Sequence, residues 1–376
     1  MSGFRFPSRA QRALRLLGAA VGRPLVGPRI VTLEITHLCN LHCGFCESHG
    51  CHMAAPLTAR RAYAGDRRSM SVETVAALSR SLARLGIGRL ELSGKGDPIA
   101  HPRLSEIVRT IRAAGLECSL FTNGTLAQPD LAATLVECGI QQLNLSLNAG
   151  SREVYERVAG KDLWERAVGF LRDVIEQRRR AGVSLPRVRL SYVVCRENVA
   201  DLERAVALCC ELGVDETSWA VMGELPETAH LQLGAGEVAD VLARIPDWSR
   251  RLEAAGIVHD LASFAAELPL RVGADRPQEN PLQRGLPCYE GWMFSVVGPD
   301  GAVAPCCYCE GVLLGNVVEE DYTRIWTGPR YAEFRRRSLA LARGGEPICW
   351  ECFTTCNRAL ENQRVHRRVR QLRPWE

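Results

Sequence analysis

The sequence predicts an α/β fold built on a parallel sheet. Between Arg29 and Gly223, six short apolar runs alternate with longer segments of helical periodicity, the pattern of repeated βαβ units. The chain has 376 residues, 46% of them hydrophobic and 24% charged, enough to bury a core of that size. Residues 30–35 (IVTLEI) read as the first strand, and residues 71–85 as a helix capped by Ser71. Then follow strand 89–92, helix 103–114, strand 118–122, helix 129–137, strand 142–147, helix 163–181, strand 188–194, helix 200–212 and strand 216–221. This order suits an α/β barrel or a doubly wound sheet, and in either architecture chemistry gathers at the C-terminal ends of the strands. Beyond Gly223, Pro226, Pro246, Pro269, Pro277, Pro281 and Pro287 mark a looser connection. A hairpin is expected around Asp300-Gly301.

Sixteen cysteines are too many for chance and too many for a chain this size to need as staples, so a small disulfide scaffold is excluded. The apolar stretch 14–21 is broken by Arg15, which argues against a secretory signal, and no apolar run approaches the roughly eighteen residues of a membrane span. A cytoplasmic protein with reduced thiols is expected. The net charge of +4 is too small to imply nucleic acid, and the arginine-rich ends, 1–29 and 364–373, are expected to be solvated helix faces. The segment from Gly88 to Lys95 lacks the spacing of a phosphate loop, and Gly96 stands where Ser or Thr is required.

Directly after the first strand, Cys39, Cys43 and Cys46 form a C-x3-C-x2-C loop. Three thiolates for four irons leave one iron open, which suits a reactive site; structural zinc completed by His49, Cys51 or His52 is the alternative. Farther on, Cys288, Cys306, Cys349 and Cys352 supply four ligands, enough for a closed [4Fe–4S] cluster or a zinc site. Cys307, Cys309 and Cys356 are alternates or free thiols.

The first loop, with Phe45 before its last cysteine, resembles that of the radical S-adenosylmethionine (SAM) superfamily. The C-x12-G-x4-C spacing from Cys288 through Gly301 to Cys306, followed by Gly315-Asn316-Val317 and Ile325-Trp326, is similar to SPASM and twitch auxiliary-cluster domains. The resemblance implies a partial (β/α)6 TIM-like barrel with a C-terminal β-hairpin-plus-helix auxiliary domain. The expected division is a basic extension 1–28, a barrel 29–225, a linker 226–286 and an auxiliary domain 287–376.

It further implies that Cys39, Cys43 and Cys46 hold a [4Fe–4S] cluster whose open iron chelates SAM, with the backbone near Phe45 on the adenine. Gly94, Lys95, Gly96 and Asp97 stand where the family binds the SAM amino group, with Asp97 in place of glutamate and Lys95 in place of a glycine. Asn123, Ser146 and Asn148, at the ends of strands three and four, become candidates for the ribose or carboxylate of SAM; turn chemistry is their other reading. One auxiliary [4Fe–4S] cluster is expected on Cys288, Cys306, Cys349 and Cys352.

The activity implied is reductive SAM cleavage and hydrogen abstraction from an unactivated carbon, leading to dehydrogenation or epimerisation. Cys51, Cys195, Cys307, Cys309 and Cys356 are candidate hydrogen donors, whereas Cys118, Cys138, Cys209 and Cys210 read as packing. The short segment before the first strand favours a small sugar or aminocyclitol over a peptide bound through an N-terminal leader module. A peptide-modifying enzyme is the alternative, and a non-catalytic metal-binding scaffold is the reading from another class. A flavodoxin or ferredoxin is the expected reductant.

Overall fold

The structure, a computed structural model, describes residues 9–50, 69–223, 226–272, 285–307, 309, 311–345 and 358–372. Cys51, Cys349, Cys352 and Cys356 lie outside the described residues. Helix α1 (Arg9–Ala20) precedes β1 (Ile30–Leu33). Next come α2 (Val72–Leu85), β2 (Arg89–Leu92), α3 (Leu104–Ala113), β3 (Cys118–Thr122), α4 (Leu131–Glu137) and β4 (Gln142–Ser146). The series continues with α5 (Arg152–Ala159), α6 (Trp164–Ala181), β5 (Arg187–Val194), α7 (Leu202–Leu212) and β6 (Glu216–Val221). Helices α8 (Ala235–Ala254) and α9 (Leu261–Arg271) follow the sixth strand. The C-terminal part holds α10 (Glu290–Met293), β7 (Phe294–Val297), β8 (Ala302–Ala304), β9 (Gly315–Asn316), α11 (Tyr322–Thr327), α12 (Pro329–Ala340) and α13 (Ala359–Gln371).

All six expected strands form, with boundaries shifted by at most two residues. The Ser71 hydroxyl accepts from the Thr74 amide at 3.2 Å, capping α2, and Gly86 ends that helix at φ 64°. Between β1 and β6, helix α5 is the element the sequence reading omits: its eight residues bury only Tyr155, Val158 and Ala159, too short a stripe to register as a period.

The strands make one nine-stranded sheet in the order β6-β5-β4-β3-β2-β1-β7-β8-β9. Strands β1 to β6 pair parallel with their neighbours, forming a partial (β/α)6 barrel. The expected hairpin is present, with Gly301 at φ 85° and β7 antiparallel to β8. That hairpin does not stand apart from the barrel. Strand β7 pairs parallel with β1, Ile30 opposite Phe294, so the free edge of the first strand is covered by the C-terminal region.

The two faces of the sheet differ. Leu33, Leu90, Leu120, Leu145, Leu190 and Trp219 join the main hydrophobic core with the helices. The alternate positions carry two register rows onto the inner face, Thr32, Glu91, Ser119 and Gln142 on β1 to β4, and Asn144, Arg189 and Glu216 on β4 to β6. Gln142 donates to Glu216 at 2.8 Å and Arg187 pairs with it at 3.0 Å, with Arg189 completing the group.

The expectation of solvated arginines at both ends needs one correction. Arg15 is only 3% exposed: its Nε donates to Gly27 O at 2.8 Å and its Nη2 to Gly86 O at 2.6 Å. Burial, with help from Arg29 and Arg12, lowers its pKa to about 10. Helices α1 and α13 pack on one another around Tyr289 and Trp292, and Arg29 pairs with Glu361. The other described arginines of the two segments, Arg9, Arg12, Arg23, Arg29, Arg364, Arg367, Arg368 and Arg370, are exposed as expected.

Candidate active site

The loop after β1 crosses the C-terminal ends of the strands and is fixed from two sides. On one side, His42 N and Gly44 N donate to Ala159 O and Val158 O at 3.2 and 3.1 Å, and Lys161 Nζ reaches Asn40 O at 2.5 Å. On the other side, Asp97 N donates to Leu38 O at 2.8 Å. Gly94 and Gly96 make that approach possible. A Cβ at Gly96 would lie 2.5 Å from Thr36 O, and one at Gly94 would lie 2.4 Å from Glu34 Cγ. The glycines expected to admit a ligand thus admit the cysteine loop.

Cys39, Cys43 and Cys46 are all partly buried. Burial, opposed by the Leu41 amide and reinforced by the charge of Asp97, raises the Cys39 thiol to about 11. Cys43 is pushed up further, by burial and then by Cys46 and Cys39. Such thiols lose their protons when a positively charged group displaces them. Donors stand ready for the resulting sulfurs: Ser48 N and His49 N point at Cys46 Sγ at 3.4 and 3.3 Å, and Asn123 Nδ2 lies 3.9 Å from Cys39 Sγ. The Tyr155 hydroxyl, near Cys43 and Cys39, is buried with no hydrogen-bond partner among the described residues. An unspent O–H near the desolvated Cys39 and Cys43 thiols fits a sulfur-rich group. Among the described residues, no three Cys, His, Asp or Glu side chains close around a single metal ion.

Several expected SAM contacts have other duties. The Asp97 carboxylate is 6% exposed and accepts from Ile99 N at 3.0 Å, Thr122 Oγ1 at 2.7 Å and Asn123 N at 2.7 Å. It pins the loop after β2 to the end of β3, with two donors on Oδ1 and one on Oδ2. Burial still raises its pKa against those three donors. Asn148, at φ 59°, accepts from Val193 N through Oδ1 at 2.8 Å and so ties β4 to β5. Asn123 Oδ1 accepts from Thr125 N at 2.9 Å, which leaves its amide hydrogens for Asn40 and the Cys39 sulfur. Ser146 remains partly exposed at the end of β4, in register with Ser191. Lys95 is half-buried, and the His49 ring bonds to the backbone at His37 and Lys95, while burial lowers the His49 pKa.

Cys195 is fully buried beside Met222 and Leu231, with Phe45 of the cysteine loop and Val193 packed against that cluster. Cys309 is also buried, whereas Cys307 is exposed. Cys118 and Cys209 pack in the core as expected, with burial raising each thiol to about 12.

Two features escaped sequence reading. Glu34 and His37 form a buried pair, Oε2 to Nε2 at 2.7 Å, under Gly94; alternation after Thr32 already placed Glu34 on the inner face. Lys161, one of two lysines in the chain, anchors the cysteine loop.

The family profile of the radical SAM superfamily matches residues 33–219, and that of an iron–sulfur cluster-binding domain, SPASM, matches residues 288–353. A relative from Saccharolobus solfataricus, named "Probable GTP 3′,8-cyclase", is 33% identical over 310 residues, which is 80% of this chain and 90% of the relative. The chain belongs to the radical SAM superfamily.

A relative of the same name from Metallosphaera sedula is 30% identical over 52% of this chain and 55% of its own length. Among solved structures, Streptococcus suis SuiB bound to S-adenosylmethionine superposes with a TM-score of 0.63 at 16% identity, covering 86% of this chain and 74% of that one. The structure of anSMEcpe with bound AdoMet gives 0.60 at 16% identity, over 92% of this chain and 97% of that one. At such identity these two show the fold alone. As a radical SAM enzyme with a SPASM domain, the chain takes SAM, a SAM-binding [4Fe–4S] cluster and auxiliary iron–sulfur as cofactors. Among the described residues, no helix is long and apolar enough to cross a membrane.

Proposed function

We propose that this radical SAM enzyme removes a hydrogen atom from an unactivated carbon of a small, hydroxylated natural product of the sugar or aminocyclitol type, leading to dehydrogenation or epimerisation. The observation that carries the reading is the inner face of the sheet. Ser146, Ser191 and Ser218 stand in register on three adjacent strands, all partly exposed, with Asn144 and Arg189 next to them. Ser191 Oγ donates to Asn144 Oδ1 at 2.6 Å, Ser218 Oγ to Asp260 Oδ2 at 2.7 Å and Arg189 to Glu216, so the Ser146 hydroxyl, the Asn144 amide N–H groups and the remaining lone pairs of the row are what can orient a ring that carries several hydroxyls.

Cys39, Cys43 and Cys46 would hold the SAM-binding cluster. When bound, that cluster and SAM supply the 5′-deoxyadenosyl radical that takes the hydrogen atom. The chain's own part is positional. Ser48 N, His49 N and Asn123 Nδ2 donate toward the ligand sulfurs, Asp97 locks the loop beneath them, and the Phe45, Met222 and Leu231 wall keeps water from one side. The reading places the enzyme in the cytoplasm, served by a flavodoxin- or ferredoxin-type reductant.

A guanosine nucleotide is a second reading, favoured by the 33% identical relative named as a GTP 3′,8-cyclase. The test is anaerobic reconstitution of the full chain with SAM and reductant, followed by mass spectrometry of 5′-deoxyadenosine. Ring-deuterated sugars and aminocyclitols, deuterated GTP and a deuterated peptide are compared as label donors. Deuterium arriving from a hydroxylated ring carbon supports the first reading. Label from GTP alone selects the second, and label from the peptide alone overturns both. Cys43→Ser is expected to abolish 5′-deoxyadenosine formation; full activity in that variant would remove the ligand assignment.

A further inference from the structure

Behind the hairpin, a charged pair is buried with part of its hydrogen-bonding capacity unspent. Arg358, at the start of α13, has its guanidinium carbon 4.8 Å from the centre of the Phe294 ring, and its Nε is 2.9 Å from Oε1 of Glu290 on α10. The Glu290 side chain is 5% exposed. Arg358 Nη2 and Glu290 Oε2 are buried and make no hydrogen bond among the described residues. Orphaned charged atoms on both partners are costly unless a further polar group meets them.

The neighbours are sulfurs. Cys306 lies two residues past Ala304, the register partner of Val296, and Phe294 lies two residues before Val296, so Cys306 is level with the ring that the Arg358 guanidinium covers. Cys306 is buried at the end of the hairpin, and the Cys288 amide donates to Ser338 O at 3.0 Å on the other side of α10.

We propose that Arg358 and Glu290 act as opposed positioning residues that set the reduction potential of the auxiliary iron–sulfur cluster, Arg358 favouring the added electron and Glu290 disfavouring it. This rests on the reading that Cys306 is a ligand of that cluster. Reduction adds one negative charge to the cluster and its thiolates. A desolvated cation beside it stabilises the reduced form, and a desolvated carboxylate does the reverse.

The test uses the full chain carrying Cys39→Ala, Cys43→Ala and Cys46→Ala, so that the remaining signal is auxiliary. Iron content is measured, and the midpoint potential is followed by electron paramagnetic resonance during dithionite titration. Arg358→Gln is expected to lower the reduction constant about tenfold, equivalent to about 59 mV for a one-electron couple. Glu290→Gln should raise it by a similar factor, and Arg358→Lys should leave it near the starting value. A structural disturbance would move both neutral variants the same way; that result, or no shift at unchanged iron content, overturns the proposal. Should Arg358→Gln lose its cluster, Glu290→Gln decides alone, a rise supporting the proposal and no rise overturning it. Cys306→Ala separates the two levels. A full, unaltered auxiliary signal in that variant overturns the ligand reading and the proposal together, whereas loss of that signal alongside inert charge variants overturns the proposal alone.

Discussion

The outer and inner faces of the same sheet have opposite characters. Outward from β5, Val188, Leu190, Tyr192 and Val194 are fully buried against helices, and Tyr192 stacks on Trp219 with ring centres 4.6 Å apart. Inward from the same strand, Arg187, Arg189 and Ser191 meet Gln142, Asn144 and Glu216. A fully buried parallel sheet reads as continuous apolar runs, and this one alternates. The difference separates two tasks: the outer face supplies the cohesion, and the inner face keeps hydrogen-bonding groups available at a cost in apolar burial.

That division can be broken by experiment. Leu190→Ala should destabilise the protein by about 2–5 kcal/mol in urea titration, through lost burial and a residual cavity. Per folded molecule, SAM cleavage should be unchanged; a lost activity with intact stability would show that the faces do not divide their tasks this way. A smaller effect is expected at Glu216→Gln. Two half-exposed arginines and Gln142 converge there, so solvent screening holds the loss to about 1 kcal/mol, read by the same titration. A loss as large as that of Leu190→Ala would mean that the inner network carries the fold.

The smallest effect concerns Asp321, which caps α11 and joins it to α2 through Ser81 and through Arg84 at 2.6 Å. The Ser81 hydroxyl, opposed by burial and helped by Thr323 and Arg84, lowers its pKa from 3.8 to about 2. A carboxylate with a depressed folded pKa stabilises above its unfolded value and loses that contribution as the pH falls through the folded one. The apoprotein should therefore lose a small increment of stability between about pH 3.8 and pH 2. Asp321→Asn should flatten that part of the profile, and an unchanged acid limb would remove the link between α2 and α11.

Much of this was legible in the sequence because local signals agreed with the fold. Strand 216–221 is found where alternation and its flanking helices place it, and Ser71 caps its helix. The cysteine loop was readable because ligand spacing is a local property. The partners of Asp97 were not. Thr122 and Asn123 lie on the next strand, and only tertiary pairing determines that a carboxylate in a family motif spends its oxygens on them. Arg15 misled for the same reason: an arginine on a basic helix looks solvated until the carbonyls of Gly27 and Gly86 arrive from elsewhere. The enclosure of Cys195 was equally hidden, because the Met222 and Leu231 side chains around it come from after the sixth strand.

The parallel pairing of β7 with β1 also dictates an order of events during synthesis. Ile30 can meet Arg89 early, whereas Phe294 leaves the ribosome only after the whole six-stranded series has been made. Until then one edge of β1 stays open, and this late, non-local contact is a slow step by its topology. The cysteine loop hangs from that same strand, so the segment that carries the three thiols is translated long before the C-terminal region can dock alongside it.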